Sequence, residues 1–133
     1  MKDNKNNVQT INFGTVNVCG CQNLHEKETL AKDAANFKIH ALGVSETHIK
    51  TAQPQLEQIS VCVENKNINY LFYYCGNNTY HGIGILIRKD LNPSFSKVNA
   101  RICTSNFSLG DRKVHVIAAY APTLSVCEKH PNQ

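Results

Sequence analysis

The sequence predicts a mixed α/β fold built around one main sheet. A helical pattern lies between two short apolar runs near the N-terminus, several apolar runs bounded by turn residues follow it, and the last run alternates strictly. The 133 residues suffice for one domain, and the 41% apolar and 18% charged fractions are typical of a globular chain. No internal repeat and no low-complexity tract interrupts the sequence.

The first two strands flank a helix. Residues 11–18 form a short apolar run around Gly14, and residues 39–45 form a second apolar run of similar length. Because a crossover helix separates them, we expect the two strands to run parallel in one sheet.

The segment between these strands has a start signal and an amphipathic stripe. Asn23 can cap the helix with its side chain, and Glu26, three residues later, can reach back to the cap. Leu30, Ala34 and Phe37 are spaced to lie on one helical face. This pattern predicts a helix whose apolar face packs on the sheet.

The remainder of the domain reads mostly as strands. Residues 54–59 are compatible with a short helix. Strands are predicted over residues 70–75, 82–87, 98–109 and 114–120. Turn-rich segments such as Gly76-Asn77-Asn78 and Leu109-Gly110-Asp111 join them.

Three polar residues stand where apolar strands lie or end. Asn17 is within the first strand, Glu46 closes the second, and Tyr120 closes the last. Ligands of α/β sheets tend to bind beyond the carboxyl ends of strands, and a carboxylate there is a hard oxygen ligand suited to Mg²⁺. Each residue also has an ordinary interpretation: a solvated loop glutamate, an asparagine bonded to nearby backbone, and a half-buried packing tyrosine.

The order and context of these residues resemble a known superfamily. The matching segments are residues 11–18 with Asn-Val, 39–48 with Glu-Thr-His, 81–87 with a glycine-rich strand, Arg101-Ile102, and 117–123 with Tyr-Ala-Pro. They are similar to the N-terminal half of the endonuclease/exonuclease/phosphatase superfamily. The nearest likeness is to endonuclease domains of non-LTR (LINE-type) retrotransposons and to craniofacial-development-protein-like relatives. The likeness covers about residues 10–124, between a polar tail, 1–9, and a C-terminal tail, 125–133.

The resemblance implies a fold and a chemistry. The fold would be the N-terminal half of a two-sheet, DNase-like α/β sandwich with flanking helices. Glu46 would ligate Mg²⁺ or Mn²⁺, Asn17 would help to hold the metal and the scissile phosphate, and Tyr120 would contact the phosphate. The reaction would be phosphodiester hydrolysis by water, and DNA would be the substrate class.

The chain departs from this family in two respects. Cys19 stands where relatives often have arginine, and the Asp-x-Asn and Ser-Asp-His motifs that follow Tyr-Ala-Pro in the family do not follow Tyr120-Ala121-Pro122 within the 133 residues. We therefore expect a partial domain with weak metal binding and no measurable nicking activity. We also expect an uncovered inner sheet face that promotes self-association.

Two other functions remain open. In the first, the chain is a non-catalytic interaction fragment or a retroelement remnant. In the second, it is a phosphatase or lipid phosphodiesterase of the same superfamily. The net charge of +4 gives only weak support to a polyanionic partner, because the basic residues are scattered.

The histidines and cysteines suggest no different site. We expect His48 to point away from Glu46, and His81 and His115 to be packing or surface residues. Cys19 and Cys21 could share one side of a strand, but no second pair with zinc spacing follows. No apolar stretch resembles a signal peptide or membrane span, so we expect an intracellular chain, nuclear or cytoplasmic, with free and mostly buried thiols.

Overall fold

Two β-sheets and one α-helix make up the described part of the chain. The computed structural model describes residues 10–76 and 81–121. In chain order the elements are β1 Phe13–Asn17, α1 Leu24–Asn36, β2 Ala41–Ser45, β3 Gln55–Val63, β4 Lys66–Cys75, β5 Ile83–Arg88, a short 3-10 helix Lys89–Leu91, β6 Ser94–Asn99, β7 Ile102–Leu109 and β8 Arg112–Ala119. This confirms a mixed α/β architecture.

The larger sheet has five strands in the order β1-β2-β5-β4-β3. β1 pairs in parallel with β2, as the crossover helix predicts, and the other neighbours in this sheet are antiparallel. The second sheet is antiparallel, with the order β6-β7-β8. The expectation of a single main sheet is therefore wrong for the described residues. The cause is that the last three strands pair only with one another.

Helix α1 begins at the predicted cap. The Asn23 side chain accepts from the Glu26 backbone N–H at 2.8 Å, and the Glu26 carboxylate accepts from the Asn23 N–H at 3.1 Å. The prediction of a capping box is confirmed. The prediction that Phe37 lies on the apolar face of the helix is wrong, because Phe37 comes just after the helix and is 76% exposed.

One apolar core lies between α1 and the larger sheet. Ala31, Ala34 and Ala35 of the helix are buried there. They pack in a cluster with the sheet residues Leu42, Val44, Ile59, Tyr70, Phe72, Tyr74 and Leu86. Helix α1 packs chiefly against β3, and its small alanine side chains share the buried cluster with the aromatic residues of β4.

A second core lies between the two sheets. Ile83, Ile85 and Ile87 of β5 face Cys103 and Phe107 of β7 in one buried cluster. Residues 83–87 of β5 are buried throughout, because the helix-side core covers one face and the second sheet covers the other. The second sheet thus already covers much of the inner face that was expected to be open.

Two other segments differ from the sequence-based expectation. Residues 55–63 form strand β3 and not a short helix, because Ile59, Val61 and Val63 alternate toward the helix-side core in register with β4. Residues 98–109 divide into β6 and β7 at a turn around Ala100. The strands expected over 70–75, 82–87 and 114–120 are confirmed with small shifts of their ends.

Several predicted segments lie outside the described residues: the polar tail 1–9, part of the turn after Gly76, and residues 122–133. The Leu109-Gly110-Asp111 turn is described, and it joins β7 to β8 with Gly110 at a φ of 65°. No helix in the described residues is long and apolar enough to cross a membrane.

Candidate functional site at the ends of β1 and β2

The first two strands end side by side. Asn17, the last residue of β1, is in register with Ser45, the last residue of β2, and Glu46 follows immediately. Since β1 and β2 are parallel, their carboxyl ends lie at the same edge of the sheet. Two of the three predicted site residues are therefore adjacent.

The side chains of Asn17 and Glu46 are hydrogen-bonded to each other. Asn17 Nδ2 donates to Glu46 Oε2. Asn17 Oδ1 accepts from the Cys19 N–H at 3.2 Å and from the Cys19 thiol at 3.3 Å. The amide thus fixes one carboxylate oxygen with its NH₂ group and anchors the loop after β1 with its carbonyl. Asn17 acts in this arrangement as a support for Glu46.

His48 lies beside the carboxylate, contrary to the expectation that it would point away. Its Nε2 is 3.7 Å from Glu46 Oε1, and the Cys19 thiol is 4.0 Å from the same oxygen. The expectation was wrong because residues two apart in a strand point to the same side, and β2 in any case ends at Ser45, before both residues. Cys19 and His48 are the neighbours that the sequence pattern missed.

The backbone around the site adopts conformations that non-glycine residues rarely take. Cys19, Glu46 and His48 have φ values of 49°, 56° and 60°. Such residues cost about 1–3 kcal/mol each and persist only where the surroundings enforce them. Here the two loops bind each other, since Gly20 N–H donates to the Glu46 carbonyl at 2.9 Å and Cys21 N–H to the Thr47 carbonyl at 2.8 Å.

Thr47 and Gly82 form the base of the site. Thr47 is fully buried, and its Oγ1 accepts from the Ile49 N–H at 3.3 Å. Gly82 lies against it with a φ of 87°, and a Cβ atom added there would collide with Thr47 Oγ1. Glu46 and His48 flank Thr47, so this buried contact fixes the turn that presents both of them. In the sequence, both residues lie in segments that carry the family resemblance, Glu-Thr-His and the glycine-rich strand 81–87, but neither was identified as a site residue.

Tyr120 belongs to the second sheet. It follows β8, is half-buried, and donates its backbone N–H to the Arg101 carbonyl at 2.9 Å. Its ring stacks on the His81 ring with the centroids 5.3 Å apart. His81 directly precedes Gly82, so Tyr120 connects to the site through this stack. The packing interpretation of His81 is confirmed, and His115 is an exposed strand residue.

The cysteines do not form a zinc pair. Cys21 is buried on the helix side of the sheet, whereas Cys19 is exposed at the site. The pKa of Cys21 is raised to about 11, mainly by burial and to a smaller extent by the nearby Glu26 carboxylate. Cys21 is therefore a neutral thiol. Cys75 and Cys103 are buried free thiols in the core between the sheets, and Cys62 is exposed. Three of the five described cysteines are therefore buried, as expected.

The donor set determines which metal ion the site suits. Over residues 10–76 and 81–121, no group of three or more histidine, cysteine, aspartate or glutamate side chains stands ready to hold a metal ion. Glu46 is a hard oxygen donor at the edge of the sheet, with its side chain 27% exposed. Mg²⁺ is commonly held by one or two carboxylates and keeps several waters. Glu46 would offer such an ion one carboxylate at this edge of the sheet.

No protein-family model and no curated protein matches the chain.

Proposed function

We propose that this chain carries the first metal-binding half of a divalent-metal-dependent phosphodiesterase site that acts on nucleic acid. The observation that carries the proposal is the Asn17–Glu46 hydrogen bond at the adjacent carboxyl ends of two parallel strands. Support also comes from the strained backbone at Glu46, because such strain is concentrated at functional sites. The resemblance of five ordered segments to endonucleases of the retrotransposon type supplies the reaction class.

Each residue has a role in this proposal. Glu46 provides the carboxylate ligand, Asn17 keeps that carboxylate in place, and the Tyr120 hydroxyl donates a hydrogen bond to the phosphate. His48 and the Cys19 thiol, both within 4.0 Å of Glu46 Oε1, border the same oxygen. A bound Mg²⁺ or Mn²⁺ ion would supply Lewis acidity to the phosphodiester. Asn17 orients the Glu46 carboxylate, and Tyr120 orients the phosphate.

Residues 1–133 alone should not turn over substrate. General-base catalysis and charge stabilisation normally require further groups. In the family that the chain resembles, Asp-x-Asn and Ser-Asp-His motifs after Tyr-Ala-Pro supply them, and neither follows Tyr120-Ala121-Pro122 within the 133 residues. We therefore expect weak metal binding without hydrolysis. A longer chain that contains both motifs should hydrolyse DNA.

A plasmid assay tests this proposal. We expect the 133-residue chain to leave supercoiled DNA intact with Mg²⁺ or Mn²⁺. If the coding sequence continues in frame past Gln133 with both motifs, the longer chain should nick the plasmid and its Glu46→Ala variant should not. Nicking by the short chain that Glu46→Ala abolishes would contradict the expected inactivity. Nicking by the longer chain that Glu46→Ala leaves unchanged would contradict the assigned site.

A second candidate function is non-catalytic binding. It is favoured by the donor set, because in the described ranges Glu46 has no partners that complete a group of three metal-binding side chains. In that case a chain extended past Gln133 would bind DNA or a protein without hydrolysing DNA. The plasmid assay with the longer chain separates the two functions.

A further inference from the structure

A second candidate binding surface lies at the opposite end of the larger sheet from Glu46. β5 runs from Ile83, beside Ser45, to Arg88, whose N–H donates to the His40 carbonyl at 2.8 Å. Six residues of strand span about 17 Å, so this end of the sheet is well separated from the candidate metal site. The proposed catalytic chemistry uses none of the residues there.

Two adjoining hollows of about 390 and 420 Å³ form a groove at this end. They share Asn67, Ile68 and Arg88 in their walls. We call this surface the basic groove, since its cations are Lys38, Lys66, Arg88 and Lys89. The acidic residues in its walls are Glu64 and Asp90, and Asp90 is paired with Arg88 at 2.7 Å.

Three separate elements carry the lysines of the basic groove. Lys38 follows α1 with a φ of 59°, and its N–H donates to the Ala35 carbonyl at 3.0 Å. Lys66 opens β4 after a tight turn in which Glu64 and Asn65 both have positive φ. Lys89 begins the 3-10 helix, and its Nζ donates to Gln58 Oε1 at 2.7 Å. Lys38 and Lys66 line one hollow and Lys89 lines the other, so the three cations are distributed along the groove and do not converge on one point.

We propose that the basic groove binds the phosphate backbone of a nucleic acid. Separated cations suit a ligand with regularly repeated negative charge better than a single phosphate ion. Side-chain amides of Asn12, Asn36, Asn67 and Asn69 also line the two hollows, and amide N–H groups are common donors to phosphate oxygens. The concave shape fits a strand or duplex edge and not a flat membrane surface. This proposal does not depend on the proposed hydrolysis.

Fluorescence anisotropy with a labelled double-stranded DNA oligonucleotide tests the proposal. The test variant is the triple substitution Lys38→Gln, Lys66→Gln and Lys89→Gln. Each phosphate contact contributes about 0.9 to the slope of log affinity against log salt, so the triple variant should lower that slope by roughly 2 to 3. Its affinity at low salt should fall about tenfold or more.

A matched control removes the same charge elsewhere. Lys32, Arg112 and Lys113 are exposed and lie outside the basic groove, so their triple glutamine variant should keep a slope close to that of the unmodified chain. Equal losses in both variants would mean that net charge alone drives binding, and would overturn the proposal. Absence of DNA binding by the unmodified chain at low salt would also overturn it. So would tighter binding of a poly-glutamate peptide than of DNA, because that result would assign the groove to acidic proteins.

Discussion

Glu46 depends on neighbours that do not themselves carry its chemistry. Its carboxylate is held by Asn17, and its left-handed backbone is held by the turn around Thr47. The sequence identifies Glu46 because it closes a predicted strand, and Asn17 because it is a polar residue within one. It assigned His48 to the wrong side, although residues two apart share a side of a strand. It could not place Cys19, because Cys19 lies in the loop after β1, where strand alternation does not apply.

Thr47 should control metal affinity through its hydroxyl. Thr47→Val keeps the shape but removes the acceptor for the Ile49 N–H, whereas Thr47→Ser keeps the acceptor and removes a buried methyl group. Each change should cost about 1 kcal/mol of stability, so stability alone does not separate them. We expect Mn²⁺ binding, measured by electron paramagnetic resonance, to weaken in Thr47→Val and to be retained in Thr47→Ser. Equal affinities in the two variants would show that Thr47 does not position Glu46.

Gly82 should be far less tolerant of alanine than Gly110. Both glycines have positive φ, but a Cβ at Gly82 would strike Thr47 Oγ1, and a Cβ at Gly110 would meet nothing within 4 Å. Gly110→Ala should cost about 1 kcal/mol from backbone strain, and Gly82→Ala clearly more. Urea unfolding of the two variants measures the difference. Similar losses in both would contradict the close packing at the base of the site.

At the scale of elements, the sequence predicts local structure better than sheet partnership. The cap of α1 is encoded within four residues, Asn23 to Glu26, and is correctly predicted. Strand β3 was mistaken for a helix because the predicted segment stops at Ile59, whereas the alternation of Ile59, Val61 and Val63 shows only over the longer strand. The second sheet was missed because pairing of β6 with β7 depends on contacts that a single segment does not specify.

The capping box should make helix stability depend on pH. Hydrogen bonds from the Asn23 and Gln22 backbone N–H groups lower the pKa of Glu26 below its ordinary value of 4.5. Because the folded pKa is lower than the unfolded one, the charged carboxylate stabilises the fold above the unfolded pKa. That contribution is lost as pH falls through the folded value. Urea unfolding should therefore show that Glu26→Gln is less stable than the unmodified chain at neutral pH, and that the difference shrinks in acid. Glu28→Gln, in the same helix but outside the box, is the control, and a difference for Glu26→Gln that stays constant with pH would contradict this assignment.

At the scale of the whole molecule, residues 10–76 and 81–121 cover the inner face of the larger sheet only partly. The three-stranded sheet packs on β5, but a hollow of about 500 Å³ remains between β1, β2 and β8. Phe13 and Ile117 are among its lining residues and are 54% and 67% exposed. The uncovered surface of the described residues is therefore this hollow beside β1, β2 and β8, and not a whole sheet face. Exposed apolar patches of this kind often mark interfaces.

We expect the hollow beside β1, β2 and β8 to promote self-association of the 133-residue chain. Analytical ultracentrifugation should show mass rising with concentration, and Phe13→Lys should shift the chain toward monomer. Phe37→Lys is a suitable control, because Phe37 is 76% exposed and does not line this hollow. A monomer at every concentration, or an equal shift in both variants, would argue against association through this surface.

The most direct test of Glu46 as the metal ligand is to locate the position at which Mn²⁺ binds. Paramagnetic broadening of backbone amide signals, followed by nuclear magnetic resonance during a Mn²⁺ titration, reports the position of the ion. We predict that the amides of Asn17 to Gly20 and Glu46 to His48 broaden first, and that Glu46→Gln abolishes this selectivity while the fold is retained. Broadening first at a different part of the sheet, or selectivity unchanged in Glu46→Gln, would contradict the assignment of Glu46 as the metal ligand.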